Sequence, residues 1–490
     1  MRIAAIPLFC SMLMAQDSPP VLRAGDVQAV IQSAAASVNV SSMVIAVTDR
    51  QGNVLGVFQE PNAPGTSIGN FGASVSTTEL AIALARTGAF FSNSQAPLSS
   101  RTVRFISGIH FPPGIMYTGN GPLYGIENTN RGCSLNANFI SGQAVPAATL
   151  TDGVSIGLGP VTGKANLNDS DANAVNPGGV PLFESGVLVG GVGVAGVTPD
   201  IAEFAAFSGA AGAGFGATPA APGVVFINGI ALPFVNQTSQ PDGTAPGSGS
   251  GNFLVGPMDS PGPAPDGDLV AAQAGPIGGL AQNDVQGIVD AAVAAAEQTR
   301  AVIRLPIGSR ARMVIAVSDL DGTILALHRM ADATVFSIDV AVAKARNVIY
   351  FSGGSRLAQD LPGVRMGTAV TNRTIGFGAQ PFFPSGIDYS SPGPFFGLYQ
   401  FDVENPCTQG FQAANPNQNG VVFFPGSLPL YKNGVLVGGL GVSGDGVDQD
   451  DYVTSQGAVG FEAPAGIRAD QIVIFGVRLP YLTFPRNPTN

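Results

Sequence analysis

Met313-Val-Ile-Ala-Val-Ser-Asp319-Leu-Asp-Gly322 repeats an earlier stretch of the same chain, Met43-Val-Ile-Ala-Val-Thr-Asp49-Arg-Gln-Gly52. A β-branched run closed by Asp and Gly reads as a strand entering a tight turn, so each copy predicts the start of an antiparallel hairpin. Outward from this pair the matches continue in the same order. Leu22-x3-Asp26-Val27-Gln28 recurs as Leu280-x3-Asp284-Val285-Gln286, and Arg101-Thr102-Val103 as Arg373-Thr374-Ile375. Phe111-Pro112-x-Gly114-Ile115 recurs as Phe383-Pro384-x-Gly386-Ile387. Gly186-Val-Leu-Val-Gly-Gly-Val-Gly-Val-Ala-Gly196 recurs as Gly434-Val-Leu-Val-Gly-Gly-Leu-Gly-Val-Ser-Gly444, and Gly229-Ile-Ala-Leu-Pro233 as Gly476-Val-Arg-Leu-Pro480. Colinear self-similarity of this kind means a tandem duplication. The copies span 22–235 and 280–482, and the Pro-, Gly- and Ser-rich stretch 236–279 reads as a flexible linker. A linker of that length lets the copies pack side by side as an intramolecular pseudo-dimer, with a higher homo-oligomer left open.

Periodicity places the elements. Val27, Val30, Ile31, Ala34 and Val38 fall at helical spacing, as do Val285, Ile288, Val289, Ala292 and Ala296. A second helix is expected from Ser76 to about Phe90 and from Ser337 to about Phe351, where Ala341, Ala343 and Ala345 let it lie close on a sheet. Lys432-Asn433-Gly434 carries the Asn-Gly hairpin signal, which makes Gly434-Val-Leu-Val-Gly-Gly a return strand. The fold class is α+β: two homologous domains, each an antiparallel sheet flanked by helices. Gly191-x-Gly193-x-x-Gly196 and Gly439-x-Gly441-x-x-Gly444 mimic a dinucleotide fingerprint, but they follow a hairpin strand and no βαβ unit. Close backbone packing is the reading adopted for these glycines.

Composition narrows the function. The 490 residues include 66 Gly and 38 Pro, no Trp, and only 11% charged residues, with a net charge of −11. Lys164, Lys344 and Lys432 are the only lysines, which excludes a nucleic-acid binder that works by phosphate neutralisation. Apolar runs are interrupted well before the roughly 18 residues that a membrane span needs. Met1-Arg2 and the apolar run after it, residues 1–16, read as a secretory signal and place the mature chain outside the cytoplasm, periplasmic or secreted. Cys133 and Cys407 stand at similar offsets in the two copies, so they either meet as a disulfide near a pseudo-two-fold axis or remain separate thiols. Asp445, Asp448, Asp450 and Asp451 form the densest acidic cluster, read as a solvated helix start or, alternatively, a calcium site. Two histidines, His110 and His328, leave too few clustered ligands for a His-based zinc enzyme.

The second copy carries a resemblance. Asp284-Val-Gln, Val314-Ile-Ala-Val-Ser-Asp319-Leu-Asp-Gly322, Leu325-Ala-Leu-His328-Arg329-Met330, Ser337-Ile-Asp339-Val-Ala341-x-x-Lys344-Ala345-Arg346 and Gly434 to Gly444 together resemble the GlcG/HbpS-like family. This is the so-called haem-degrading domain also found at the C-terminus of PduO-type proteins. The first copy is diverged, with Phe58, Glu79 and Leu84 where the second has His328, Asp339 and Lys344. Both copies carry insertions that the compact family pattern lacks, about 116–177 and 388–424. The resemblance implies a profilin-like or roadblock-like domain, oligomer formation, and binding of haem or a related tetrapyrrole, with a part in haem handling or oxidative-stress response. Neither histidine is duplicated, since Phe382 and Phe58 occupy the matching positions, so one copy cannot supply a bis-His site. Haem would then take one His, or a Lys, Tyr, Thr or Cys ligand. The candidate binding residues are His328, Asp339, Lys344, Arg346 and Arg373, with Lys344 and Arg346 for a propionate. The competing reading is a non-enzymatic structural or assembly module with no tetrapyrrole ligand.

Overall fold

The computed structural model describes residues 19–69, 74–135, 177–217 and 224–489; the expected signal at 1–16 and most of the first insertion lie outside them. The first half opens with α1 (Ala24–Ala36), whose buried stripe is Val27, Val30, Ile31 and Ala34. Then come β1 (Val44–Asp49), β2 (Val54–Gln59), a short pair β3 (Thr66–Ile68) and β4 (Ser74–Ser76), α2 (Thr77–Phe91) and α3 (Ser100–Phe105). β5 (Gly179–Glu184), β6 (Val187–Ala195), α4 (Pro199–Gly212) and the small hairpin of β7 (Phe226–Ile227) and β8 (Ile230–Ala231) complete it. β9 (Asn252–Val255) and β10 (Gly267–Val270) lie between the halves in sequence. The second half runs α5 (Gln282–Gln298), β11 (Val314–Ser318), β12 (Ile324–Arg329), α6 (Phe336–Ser352), α7 (Asn372–Gly378) and α8 (Phe396–Glu404). It ends with β13 (Ser427–Lys432), β14 (Val435–Ser443), α9 (Val447–Gly457), β15 (Val473–Ile474) and β16 (Val477–Arg478).

The two main sheets have the orders β5-β6-β1-β2-β9 and β10-β12-β11-β14-β13, so each is the other read from the opposite end. Every pairing is antiparallel, and the registers correspond: Val44 faces Gln59 and Ala195, as Val314 faces Arg329 and Ser443. Even the irregularities recur, at Val47/Thr48 and Val317/Ser318. The hairpin turns sit where the sequence places them, with φ of 50° and 80° at Ser185 and Gly186 and 52° and 78° at Asn433 and Gly434. One expectation is corrected. The stretch 236–279 is no free linker, because it gives each sheet its fifth strand: β9 pairs with β2 through Phe253 and Phe58, and β10 with β12 through Asp268 and His328. Between these strands the chain is pinned to both halves, by Ser260 Oγ donating to Asp49 and Arg329 donating to Pro265 O.

Helices cover both faces of each sheet. Ile45 and Val47 pack toward α1 and α4, whereas Val44 and Ala46 pack toward α2; in the second half Ile315 and Val317 face α5, and Val314 and Ala316 face α6. The α6 core also takes in Phe90 and Phe91 from the end of α2, and Phe91 stacks on Phe336 at 4.2 Å between centroids. The halves therefore share a core. Asp332 reinforces the contact by pairing with Arg50 and Arg304, both at 2.8 Å.

The glycines of the false fingerprint set the helix-to-sheet distance. A Cβ on Gly191 or Gly193 would stand 2.1 Å from the carbonyl oxygens of Ala85 and Ala81, and one on Gly439 or Gly441 would stand 2.2 and 2.1 Å from those of Ala345 and Ala341. Gly441→Ala should therefore cost about 1–3 kcal/mol by overpacking, read as a lowered urea midpoint. Gly466→Ala, where a Cβ meets nothing within 4 Å, should leave the midpoint near wild type. Cys133 and Cys407 form a disulfide that joins the two insertions across 274 residues of chain. Removing it as Cys133→Ala/Cys407→Ala should cost about 2–5 kcal/mol through the larger freedom of the unfolded chain. An unchanged midpoint in non-reducing urea melts would contradict this.

Candidate functional site

α6 is buried along its whole length, so its polar residues have to be satisfied from inside. Asp339 accepts from the backbone N–H of Asn130 at 2.7 Å and from Asn419 Nδ2 at 3.1 Å. Lys344 Nζ donates to Val442 O at 2.8 Å and to Asp450 Oδ2 at 3.0 Å. Arg346 donates to Gly322 O at 2.9 Å, Asn419 Oδ1 at 3.0 Å and Leu135 O at 2.7 Å. Arg373 pairs with Asp448 and Asp451. Asn130 and Leu135 belong to the first copy's insertion, whose residues 130–135 lie over α6; Arg131 anchors this segment on Asp402 at 2.7 Å, beside the disulfide. The acidic cluster is thus not a solvated helix start. Asp450 and Asp451 are buried in α9 and neutralise Lys344 and Arg373.

Burial shapes the titration of this network. It pushes Asp450 up to about 7 and Lys344 down, and it pulls Arg346 down to about 10; Asp339 and Asp451 also rise by desolvation. The first half gives an internal comparison. A Cβ on Gly193 would touch Leu84 Cβ as one on Gly441 would touch Lys344 Cβ, and one on Gly178 would meet Ala202 as one on Gly426 would meet Asp450. Lys344 and Asp450 are therefore replaced together by Leu84 and Ala202. Arg373 with Asp451 is matched by Arg101 with Glu203, at 2.6 Å. A charged pair that disappears as a pair belongs to the packing of its own half.

The five candidate residues do not converge. His328 stands directly opposite Ile315 on the neighbouring strand, hence on the α5 face of the sheet, away from α6; its Nδ1 lies 2.7 Å from Asp268 Oδ1 on the edge strand. His110 is elsewhere again, between the insertions, with Nε2 3.0 Å from Asp388 Oδ1. Among the described residues no group of three or more His, Cys, Asp or Glu is placed to hold a metal ion, and no helix is long and apolar enough to cross a membrane.

A different place has room for a planar ligand. A cleft of about 700 Å³ opens between the β7–β8 hairpin of the first half and, from the second, the 300–307 segment, the start of α9 and the C-terminal residues 483–486. Phe226, Leu305, Ile307 and Phe484 give it apolar walls, and Ile307 is 82% exposed. Arg300 and Arg486 line it as exposed cations that take part in no ion pair among the described residues. These features suit a flat macrocycle that carries carboxylates. Of the iron-ligand types left open by the sequence, only Thr483 is on its lining among the described residues. The sequence passes over these residues because the repeat pattern draws attention to what the copies share; the usable signal is a pair of cations in a chain that has few.

Lys344→Leu leaves Asp450 buried without its partner. That carboxyl then stays protonated in the fold, whereas in the unfolded chain it ionises near the usual value of about 4, so stability should fall by about 1.4 kcal/mol per pH unit above that point. Lys344→Leu/Asp450→Ala, which copies the first half, should abolish this slope in urea melts between about pH 5 and 8.

Residues 280–458 match a family model described as haem degrading protein HbpS-like. Among solved structures, ORFY of Klebsiella pneumoniae is 21% identical over 36% of this chain and 88% of its own, with a TM-score of 0.24. PduOC, solved as a complex with haem, is 22% identical over 36% of this chain and 91% of its own, at 0.24. A double mutant of HbpS from Streptomyces reticuli is 19% identical over 36% and 83%, at 0.21. No curated protein matches the chain. The family-model match begins at α5 and ends just past α9, so it is the second half of this chain that is similar to the HbpS-like family.

Proposed function

We propose that this protein binds haem or a related tetrapyrrole in the cleft between its halves, as a haem-handling protein outside the cytoplasm. One observation carries the reading: the 700 Å³ apolar cleft with Arg300 and Arg486 on its lining. The macrocycle plane would lie against Phe226 and Phe484, and the two guanidinium groups would take its carboxylates. The family of the second half, and the haem complex of PduOC, support the choice of ligand. A disulfide between the halves supports an oxidising compartment. Since no described His, Cys, Met or Tyr lines the cleft, the porphyrin face and its propionates carry the affinity, so an iron-free porphyrin should bind about as well as haemin.

The second reading, a structural or assembly module, is favoured by the internal pairing of Lys344, Arg346 and Arg373. Haemin titration separates the two. A saturable Soret shift is expected, weakened at least about tenfold by Arg300→Ala/Arg486→Ala, which corresponds to about 1.4 kcal/mol or more. His328→Ala should leave it unchanged. Protoporphyrin without iron should give a saturable fluorescence change. Absence of both signals overturns tetrapyrrole binding and leaves the structural module; a shift lost in His328→Ala moves the ligand to the other face of the sheet.

A further inference from the structure

We infer a second binding site, for a neutral polyhydroxylated ligand of one or two sugar rings, in a cleft of about 380 Å³ between the β11–β12 turn and the 409–418 loop of the second insertion. It goes beyond tetrapyrrole binding and, among the described residues, shares no lining with the cleft between the halves. The loop Gln409-Gly-Phe-Gln412-Ala-Ala-Asn415-Pro-Asn417-Gln418 is dense in amides. Three of them are held in a common manner. Gln409 Nε2 donates to Arg346 O at 2.6 Å, Gln412 Nε2 donates to Gln409 O at 2.8 Å, and Asn415 Oδ1 accepts from the Asn417 N–H at 2.9 Å. Gln409, Gln412 and Asn415 are thus each fixed at one polar atom. The other atom, Gln409 Oε1, Gln412 Oε1 or Asn415 Nδ2, makes no hydrogen bond to the described residues, and neither does Ser355 Oγ.

Two acceptors and a two-hydrogen donor on side chains already immobilised, with the Ser355 hydroxyl beside them, match a ligand whose every group both donates and accepts. Their fixation removes part of the entropy that binding would otherwise lose. Charge selects against ions. Among the described residues Arg346 is the only cation on the lining, and its Nε, Nη1 and Nη2 are already given to Gly322, Asn419 and Leu135. Asp321, whose carboxylate accepts from the N–H and hydroxyl of Thr323, adds a negative field that repels phosphate and carboxylate ligands. Leu320 and Pro416 offer an apolar rim for the C–H face of a ring.

Saturation-transfer NMR with maltose, glucose and glucuronate tests the assignment on the full chain. Transfer to maltose or glucose, little to glucuronate, and an affinity at least about tenfold weaker in Gln412→Ala/Asn415→Ala are expected. No transfer to either neutral sugar, a preference for glucuronate, or transfer that survives the double substitution overturns the site. If the double variant does not fold, Asn415→Asp, which exchanges only Nδ2 for oxygen, has to weaken maltose binding by itself, and equal affinity overturns the site. The haemin titration is an independent readout, so either site can fail alone.

Discussion

A helix can lie on a sheet at backbone contact only where the strand beneath it has no side chains, and that constraint governs each half of this molecule. Gly191 and Gly193 under α2, and Gly439 and Gly441 under α6, leave no room for a Cβ against the helix carbonyls. The close approach removes α6 from water along all of Phe336–Ser352. Everything polar on that helix must then find partners within the protein, since an unpaired buried charge is far more costly than an unpaired buried amide. The acidic start of α9, Asn419 and the first copy's insertion supply those partners. A glycine pattern that resembles a cofactor motif is thus the cause of a fully enclosed ionic network.

The two halves meet the same constraint differently. At the position of Lys344 the first half has Leu84, and at that of Asp450 it has Ala202, so the same helix-to-sheet contact stands there without that buried ion pair. Arg86 nevertheless donates to Gly52 O at 3.0 Å as Arg346 does to Gly322 O. The arginine that ties the second helix to the β-hairpin turn is common to both halves, while the lysine and its carboxylate are an elaboration of one. A structural role explains this division: the shared contact holds the shared fold, and the elaboration accompanies the insertion packed over α6.

Much of the fold was legible in the sequence, because duplication presents each signal twice. The strand runs at 44–49 and 314–318, the Asn433-Gly434 turn and the helical spacings of α1 and α5 are local features whose physics needs no partner. Edge strands β9 and β10 escaped because a four-residue edge strand with no fully buried residue sits easily in Pro- and Gly-rich sequence. The candidate site was less legible. Lys344 and Arg346 look like ligand groups on a helix, and nothing in their neighbourhood along the chain discloses that residues near 130 and 450 close over them. His328 was grouped with them by the motif, yet strand alternation puts it on the opposite face once Ile315 is its cross-strand neighbour.

Where a duplicated chain gains a function, the place to look is where its copies differ. α1 ends at Ala36 and β1 begins at Val44, but α5 ends at Gln298 and β11 begins only at Val314. The additional loop carries Arg300, Leu305 and Ile307, and it meets the first half's β7–β8 hairpin and the C-terminal Phe484 and Arg486 across the open cleft. The amide-rich 409–418 loop is likewise part of an insertion and not of the repeated framework. Within the framework, Lys344, Arg346 and Arg373 are already paired, so a ligand taken by them would have to displace bonds already made. At the two unrepeated loops the Arg300 and Arg486 guanidinium groups, Gln412 Oε1 and Asn415 Nδ2 make no such bonds to the described residues, so a ligand there would add contacts without first breaking any.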